Sequence, residues 1–309
     1  MHLLIPFAAP LSESGRQAAR SLVLPKLQAL LGTLQLDGRD DGDEWSLSTP
    51  HERALAQALG WAGSDGTLPW AARAAAADGV AVGDLAWGLL TPVHWHLGTE
   101  QISLVDPAGL MLDDPASRAF LEAVSDLFVS EGYVVAYGHA ARWYIAHESL
   151  AALPCASLDR VIGRNVDRWL GSDPAARSIR RLQSEVQMQL YTHPLNDQRL
   201  ARGLLPVNSF WLSGCGAAQA EAANDTQADD RLRAPALADD WAAWCKAWAT
   251  LDAGPLADLL SAAKAGQPVR LTLCGEKSSA TWARSDRGWL DRLRSRWSRA
   301  DWPAALDSL

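Results

Sequence analysis

The sequence predicts an α/β protein whose middle part is mixed α+β in character, and three observations carry that prediction. Short apolar runs such as "HLLIPF" near the start and "VRLTLCGE" near the end read as strands, whereas Leu27, Leu30, Leu31 and Leu34 recur at helical spacing. From Val93 the period becomes two: Val93, Trp95 and Leu97 alternate with His94, His96 and Gly98. Helix-opening signals, a polar cap residue followed by proline, stand at Thr49-Pro50, Asp114-Pro115 and Asp173-Pro174. A chain of 309 residues is too long for one ordinary core and suggests two domains or three.

Residues 1–84 read as a mainly helical region behind one short strand. Ser12 or Ser14 caps the first helix, and Pro25 starts or kinks the next. "DGRDDGDEW" reads as a charged loop. Thr49 to Glu52 form a capping-box pattern, in which the Thr oxygen and the Glu carboxylate satisfy free N–H groups. Residues 85–150 read as an α+β hairpin region. One hairpin turns at Gly98-Thr99 into "QISLVDP", a helix runs from Asp114 through Phe128, and a second hairpin turns near Gly138.

Residues 151–309 read as an α/β region. Ser157 is expected to cap one helix, "LDRVIGRNVDRWL", and Asp173-Pro174 to open another with Ile179, Leu182, Val186 and Leu190 on its apolar stripe. A strand "PVNSFWLSG" follows, then a mobile loop over 217–235, a helix with Trp241, Trp244 and Trp248 at core spacing, the helix "PLADLLSAAKAG", and the strand at 269–276. That order predicts a parallel strand–helix–strand crossover, with Cys215 and Cys274 on adjacent strands. An Arg-rich C-terminal helix closes the chain, with Leu290, Leu293 and Trp297 facing inward.

The net charge of -8 disfavours general binding to nucleic acid or to an anionic membrane, so neither is expected as a partner. No run of apolar residues is long enough for a membrane span, and "MHLLIPFAAP" lacks the basic start of a signal peptide. The four cysteines form no CxxC pair, which fits a reducing, cytoplasmic setting.

The functional centre is expected in "HPLNDQRLARGLLPVNSFWLSGCG". His193, Asn196, Arg199 and Arg202 surround a short helix that Gly203 stops, and the two guanidiniums offer forked donors suited to phosphate or carboxylate. Asn208 enters the following strand, and Ser213, Gly214, Cys215 and Gly216 end it, where glycines allow backbone N–H groups to converge on an anion. A reaction site, a binding site and a helix-to-strand connection all fit these residue types. The strand between the Arg–Asn cluster and the glycines spans roughly 20 Å, so they share a pocket only if the helix returns alongside it.

This segment resembles part of the archaeal-type cofactor-independent phosphoglycerate mutases, where a similar His-Pro-x-Asn-x-x-Arg run leads into Pro-x-Asn and a strand ending in Gly-x-Gly. Over more of its length, in "GDEWSLSTPHERALA", "PVHWHLG", "RWYIAH", "SEVQMQLYTHPLND" and "LTLCGE", the chain resembles the RpfE-type regulatory proteins of proteobacteria. The mutase resemblance implies an alkaline-phosphatase-like site with a nucleophilic Ser and two metal ions held by Asp and His. The first strand here runs into "AAPLSE", without the Asp-Gly that supplies a ligand in that family.

The retained Asn-Arg-Gly-Asn segment, with the missing metal ligands, points to a non-catalytic or weakly catalytic binder of a small anionic metabolite, phosphorylated or carboxylated, with a regulatory role and no cofactor. One alternative is a metal-dependent mutase or phosphatase using manganese or another divalent metal, with Ser213 or Cys215 as nucleophile. Another is a scaffold that docks an acidic protein partner through Arg284, Arg287, Arg292, Arg294, Arg296 and Arg299. His94 and His96 share one side of a strand but have no third ligand at metal spacing, and are expected to be solvated or hydrogen-bonded.

Overall fold

A computed structural model describes residues 1–99, 101–171, 176–284 and 302–309. Along the chain run β1 (His2–Ala9), α1 (Glu13–Arg20), α2 (Pro25–Leu31), β2 (Gln35–Asp41) and α3 (Pro50–Ala58). Next come α4 (Trp70–Ala77), β3 (Ala86–Val93), β4 (Trp95–Leu97), β5 (Ile102–Leu104), α5 (Asp114–Val129), β6 (Val134–His139) and β7 (Arg142–Ala146). Then follow α6 (Leu158–Val161), α7 (Ala176–Tyr191), α8 (Pro194–Ala201), β8 (Ser209–Ala217) and β9 (Thr226–Ala228). The last elements are α9 (Arg233–Leu237), α10 (Trp241–Ala253), α11 (Pro255–Lys264), β10 (Arg270–Gly275), β11 (Ser278–Ala283) and α12 (Trp302–Asp307). The protein is α/β, as its sequence predicts.

Two compact units share this chain. One is built from Met1–Gly60 with Glu221–Leu309, the other from Trp61–Ala220. The boundaries at 84/85 and 150/151 read from the sequence both fall inside the second unit.

The first unit holds a five-stranded sheet in the order β2-β11-β10-β1-β9. β1 is parallel to both β10 and β9, while β11 is antiparallel to β10 and to β2. Leu3 and Ile5 join Leu271 and Leu273 in a core with Leu27, Leu30, Trp244 and Trp248 from the helices. Leu4 and Cys274 pack on the opposite face against Ala54 of α3. β1 reads as a continuous apolar run because a strand flanked by parallel neighbours is covered on both faces. The capping box at Thr49 and Glu52 forms as read. The Trp stripe is core: Trp244 and Trp248 are fully buried, with successive rings edge to face 6.0 and 6.1 Å apart.

The structure departs from several local expectations. The charged stretch at 37–45 is not all loop, because its first part lies in the edge strand β2, ordered by pairing with β11. The expected mobile loop at 217–235 contains β9, whose main chain pairs with His2 to Leu4. The parallel crossover is present but starts at β9 rather than at the strand before Gly214, with α9, α10 and α11 leading to β10. Cys215 and Cys274 accordingly lie in different sheets.

The second unit holds a four-stranded antiparallel sheet, β6-β7-β3-β8, and the small β4–β5 hairpin. Phe120, Val124 and Phe128 of α5 and Leu182, Val186 and Leu190 of α7 pack on one face against Trp143, Ile145 and Phe210. Ala71, Ala72 and Ala75 of α4 pack on the other against Trp87 and Tyr144. Both predicted hairpins form, the second turning between His139 and Arg142. The helix expected from Ser157 is shorter than read. It ends after Val161, where Gly163 takes a φ of 73°, and a 3-10 turn over Val166–Arg168 follows. The Asp173-Pro174 opening and most of the Arg-rich helix, including Leu290, Leu293 and Trp297, lie outside the described residues. Among the described residues no helix is long and apolar enough to cross a membrane.

Candidate functional site

His193 is the N-cap of α8, its Nδ1 accepting from the Leu195 N–H at 3.3 Å, with Pro194 at the first helical position. Gly203, with a φ of 70°, closes the other end. Its N–H bonds to the Leu200 carbonyl at 2.9 Å and the Leu204 N–H to that of Arg199 at 3.0 Å, a Schellman ending. The chain then enters β8, and the glycines of that strand pack against the start of α4 rather than against α8.

The polar side chains of this turn are committed to the main chain. Buried Asn196 donates from Nδ2 to the carbonyls of Leu190 at 2.9 Å and Val207 at 2.8 Å, and its Oδ1 accepts from the Val207 N–H at 2.9 Å. Arg199, 5% exposed, donates from Nε to the Leu205 carbonyl at 2.8 Å and from a terminal nitrogen to the Leu110 carbonyl. Burial, with Arg202 nearby, lowers its pKa, and Asp113 opposes that shift. Asn208 treats Trp95 as a strand partner, accepting from its N–H at 2.7 Å and donating to its carbonyl at 2.9 Å. His94 adds a hydrogen bond from Nδ1 to the Pro206 carbonyl at 3.0 Å.

These groups form a clasp that ties the 203–208 turn to α8, to the strand entrance and to the turn at Leu110. A buried carbonyl or N–H needs a partner, and here side chains supply it where no neighbouring strand does. Arg202 is exposed at the end of α8 and takes no part in the bonds described for the clasp.

The glycines serve packing. Ser213 to Gly216 lie within β8, not beyond it. Trp87 pairs with Gly216 and Leu89 with Ser213, so β8 carries one extra residue, a bulge. Gly214 takes a φ of 65°, and a Cβ there would stand 2.9 Å from both the Trp70 Cβ and the Ala71 nitrogen. A Cβ on Gly216 would stand 3.1 Å from Pro69. The missing side chains let the start of α4 rest directly on the bulge, where an anion nest was expected. Ser213 is 7% exposed and Cys215 fully buried.

His94 and His96 have ring centroids 6.3 Å apart, and the His94 pKa is lowered, first by burial. Among the described residues no group of three or more His, Cys, Asp or Glu is placed to hold one metal ion. A cavity of about 240 Å³ in the first unit is lined by His2, Asp225, Gln227 and Asp258 among others, and none of the nine expected site residues lines it.

A different feature, absent from the sequence reading, marks the carboxyl end of β1. Phe7 has a φ of 55°, a left-handed conformation uncommon for a bulky residue. The β1–β10 register jumps from Ile5↔Leu273 to Ala9↔Gly275 around it. The Phe7 carbonyl accepts from the Trp244 indole at 3.0 Å, and its ring lies 5.3 Å from that of His51. Beyond it Pro10 leads to Ser12, which caps α1 through the Gly15 N–H, and the Leu11 N–H donates to Glu276 at 2.8 Å. Pro6 before Phe7 was the one local hint that the strand is irregular here.

No protein-family model matches the chain, and none of the curated proteins does. Among solved structures, a cofactor-independent phosphoglycerate mutase from Thermoplasma acidophilum aligns over 92% of this chain and 90% of its own, with 13% identity and a TM-score of 0.35. The PH0037 protein from Pyrococcus horikoshii aligns over 92% and 87%, with 12% identity and a TM-score of 0.45. Both likenesses are distant, and the RpfE-type resemblance rests on the sequence alone.

Proposed function

We propose that this chain is an RpfE-type, phosphoglycerate-mutase-like cytoplasmic protein that binds a small phosphorylated or carboxylated metabolite in a regulatory role. The anion is met outside the buried clasp, at the carboxyl ends of β9, β1 and β10. The observation that carries the placement is the left-handed Phe7. Such an outlier on a bulky residue costs on the order of 1–3 kcal/mol and persists where the surroundings hold it, most often at ligand sites. Open α/β sheets also receive ligands beyond the carboxyl ends of their parallel strands.

The catalytic alternative would use Ser213 or Cys215 as nucleophile, and Cys215 is poorly suited to that role. The Cys215 thiol is held well above its ordinary pKa by its hydrogen bond with Cys155 and by burial, so it stays protonated near neutral pH.

Isothermal titration with phosphoglycerates and with inorganic phosphate tests this reading. Binding is expected for the intact chain, and Ser14→Glu, which sets a negative charge on an exposed position of α1, is expected to abolish it without loss of fold. No heat of binding for the intact chain, or unchanged binding in Ser14→Glu, would overturn the placement. Turnover of phosphoglycerate with added manganese would overturn the non-catalytic reading.

A further inference from the structure

We propose that Cys155 and Cys215 are a peroxide-responsive dithiol, a modification site in which hydrogen peroxide converts the two thiols to a disulfide. Their sulfurs lie 3.5 Å apart and both cysteines are free. Closing that gap to a bond of about 2 Å asks for a movement of the order of a side-chain adjustment.

The flanking backbone is anchored by hydrogen bonds. The Cys155 N–H bonds to the Gly66 carbonyl at 2.9 Å, and the Trp211 indole of β8 bonds to the Ala156 carbonyl at 2.9 Å. Gly88 of β3 faces the pair, where an added Cβ would stand 3.2 Å from the Cys215 sulfur. The site therefore holds both sulfurs against β8 without a larger side chain between strands.

Access is unequal. Cys215 is fully buried, whereas Cys155 is half-buried and lines a cavity of about 30 Å³ together with Arg180, Gln183 and Trp211. That volume suits a molecule on the scale of water or peroxide. Cys155 is thus the attacking residue and Cys215 the resolving one.

In the first step the Cys155 sulfur attacks hydrogen peroxide and gives up its thiol proton. An S–O bond forms, the O–O bond breaks, and the leaving hydroxide takes a proton to become water. In the second step the Cys215 sulfur attacks the Cys155 sulfenic sulfur. An S–S bond forms, the S–O bond breaks, and the hydroxyl leaves as water with the Cys215 proton. Two thiols and one peroxide give one disulfide and two waters, with the sulfurs oxidised and the peroxide oxygens reduced. A thiol reductant reverses the change.

The test is peroxide treatment of the intact protein, alkylation under denaturing conditions and peptide mass spectrometry. The expected result is a Cys155–Cys215 linked peptide, lost on reduction, with Cys245 and Cys274 still alkylated. Cys155→Ser, a change at the accessible position, is expected to leave Cys215 reduced and the fold intact. Full alkylation of both thiols after treatment, irreversible oxidation of Cys155 without a link, or equal oxidation of Cys215 in Cys155→Ser would each overturn the proposal.

Discussion

Arg199 shows how a residue chosen for its chemistry can serve the chain itself. A guanidinium that reaches two carbonyls while almost fully buried replaces bonds that no strand or helix supplies. Truncating it strands those acceptors, at a cost of roughly 1–3 kcal/mol for each group left buried and unpaired. Arg199→Ala should therefore lower stability by about 2–4 kcal/mol, and Asn196→Ala by a similar amount, measured by urea denaturation. Glycines offer a sharper comparison. Gly163 and Gly214 both have positive φ, but only Gly214 is crowded; nothing lies within 4 Å of a Cβ at Gly163. Gly163→Ala should cost about 1–2 kcal/mol from backbone conformation alone, and Gly214→Ala clearly more, because α4 must shift. Equal losses in the two variants would refute the packing role of the bulge. The sequence did announce that Asn196, Arg199 and Asn208 need partners. It did not say whose, because a main-chain carbonyl and a ligand oxygen are the same kind of acceptor.

At the scale of elements, the sheet of the first unit carries a polar ladder across its strands. His2 bonds from Nδ1 to Thr226 on β9 and from Nε2 to Thr272 on β10, each at 2.8 Å, and Thr272 bonds to Thr281 on β11. Burial, followed by the charge of Arg270, lowers the His2 pKa from 6.5 to about 4, with Asp225 opposing. Between those values the unfolded chain binds a proton that the folded chain does not. Stability should thus fall as pH drops from about 6.5 toward about 4 and level off below, a trend that His2→Asn should weaken in unfolding curves. An unaltered pH profile in His2→Asn would count against the ladder. Elements set by local chemistry were legible: the Thr49 capping box, the two hairpins and the Trp244–Trp248 stripe. β2 and β9 were not, since "QLDGRDD" and "TQA" are polar edges whose strand conformation comes from partners far away in sequence. The helix expected after Ser157 failed at Gly163 because the apolar spacing of Val161, Ile162 and Val166 does not reveal a left-handed turn.

For the whole molecule, the informative fact is that Trp61–Ala220 is inserted into a unit made from both ends of the chain. Each unit has its own core, one around Ile5, Trp244 and Leu273 and the other around Phe128, Trp143 and Phe210. Residues 61–220 expressed alone should therefore unfold cooperatively, as followed by circular dichroism; a gradual, non-cooperative melt would contradict the division. No local pattern could disclose this insertion, because the pairing of β1 with β10 joins residues separated by most of the chain. The segment most suggestive of function thus belongs to one unit, while the strained strand end belongs to the other. The central claim is that the Asn–Arg segment is architecture and the anion is held elsewhere. Its most direct test is the thermal unfolding midpoint of Arg199→Ala and wild type across increasing phosphoglycerate concentration. The account predicts a lowered midpoint without ligand and the same ligand-induced rise in both proteins; an unchanged midpoint without ligand, with the rise lost only in the variant, would contradict it.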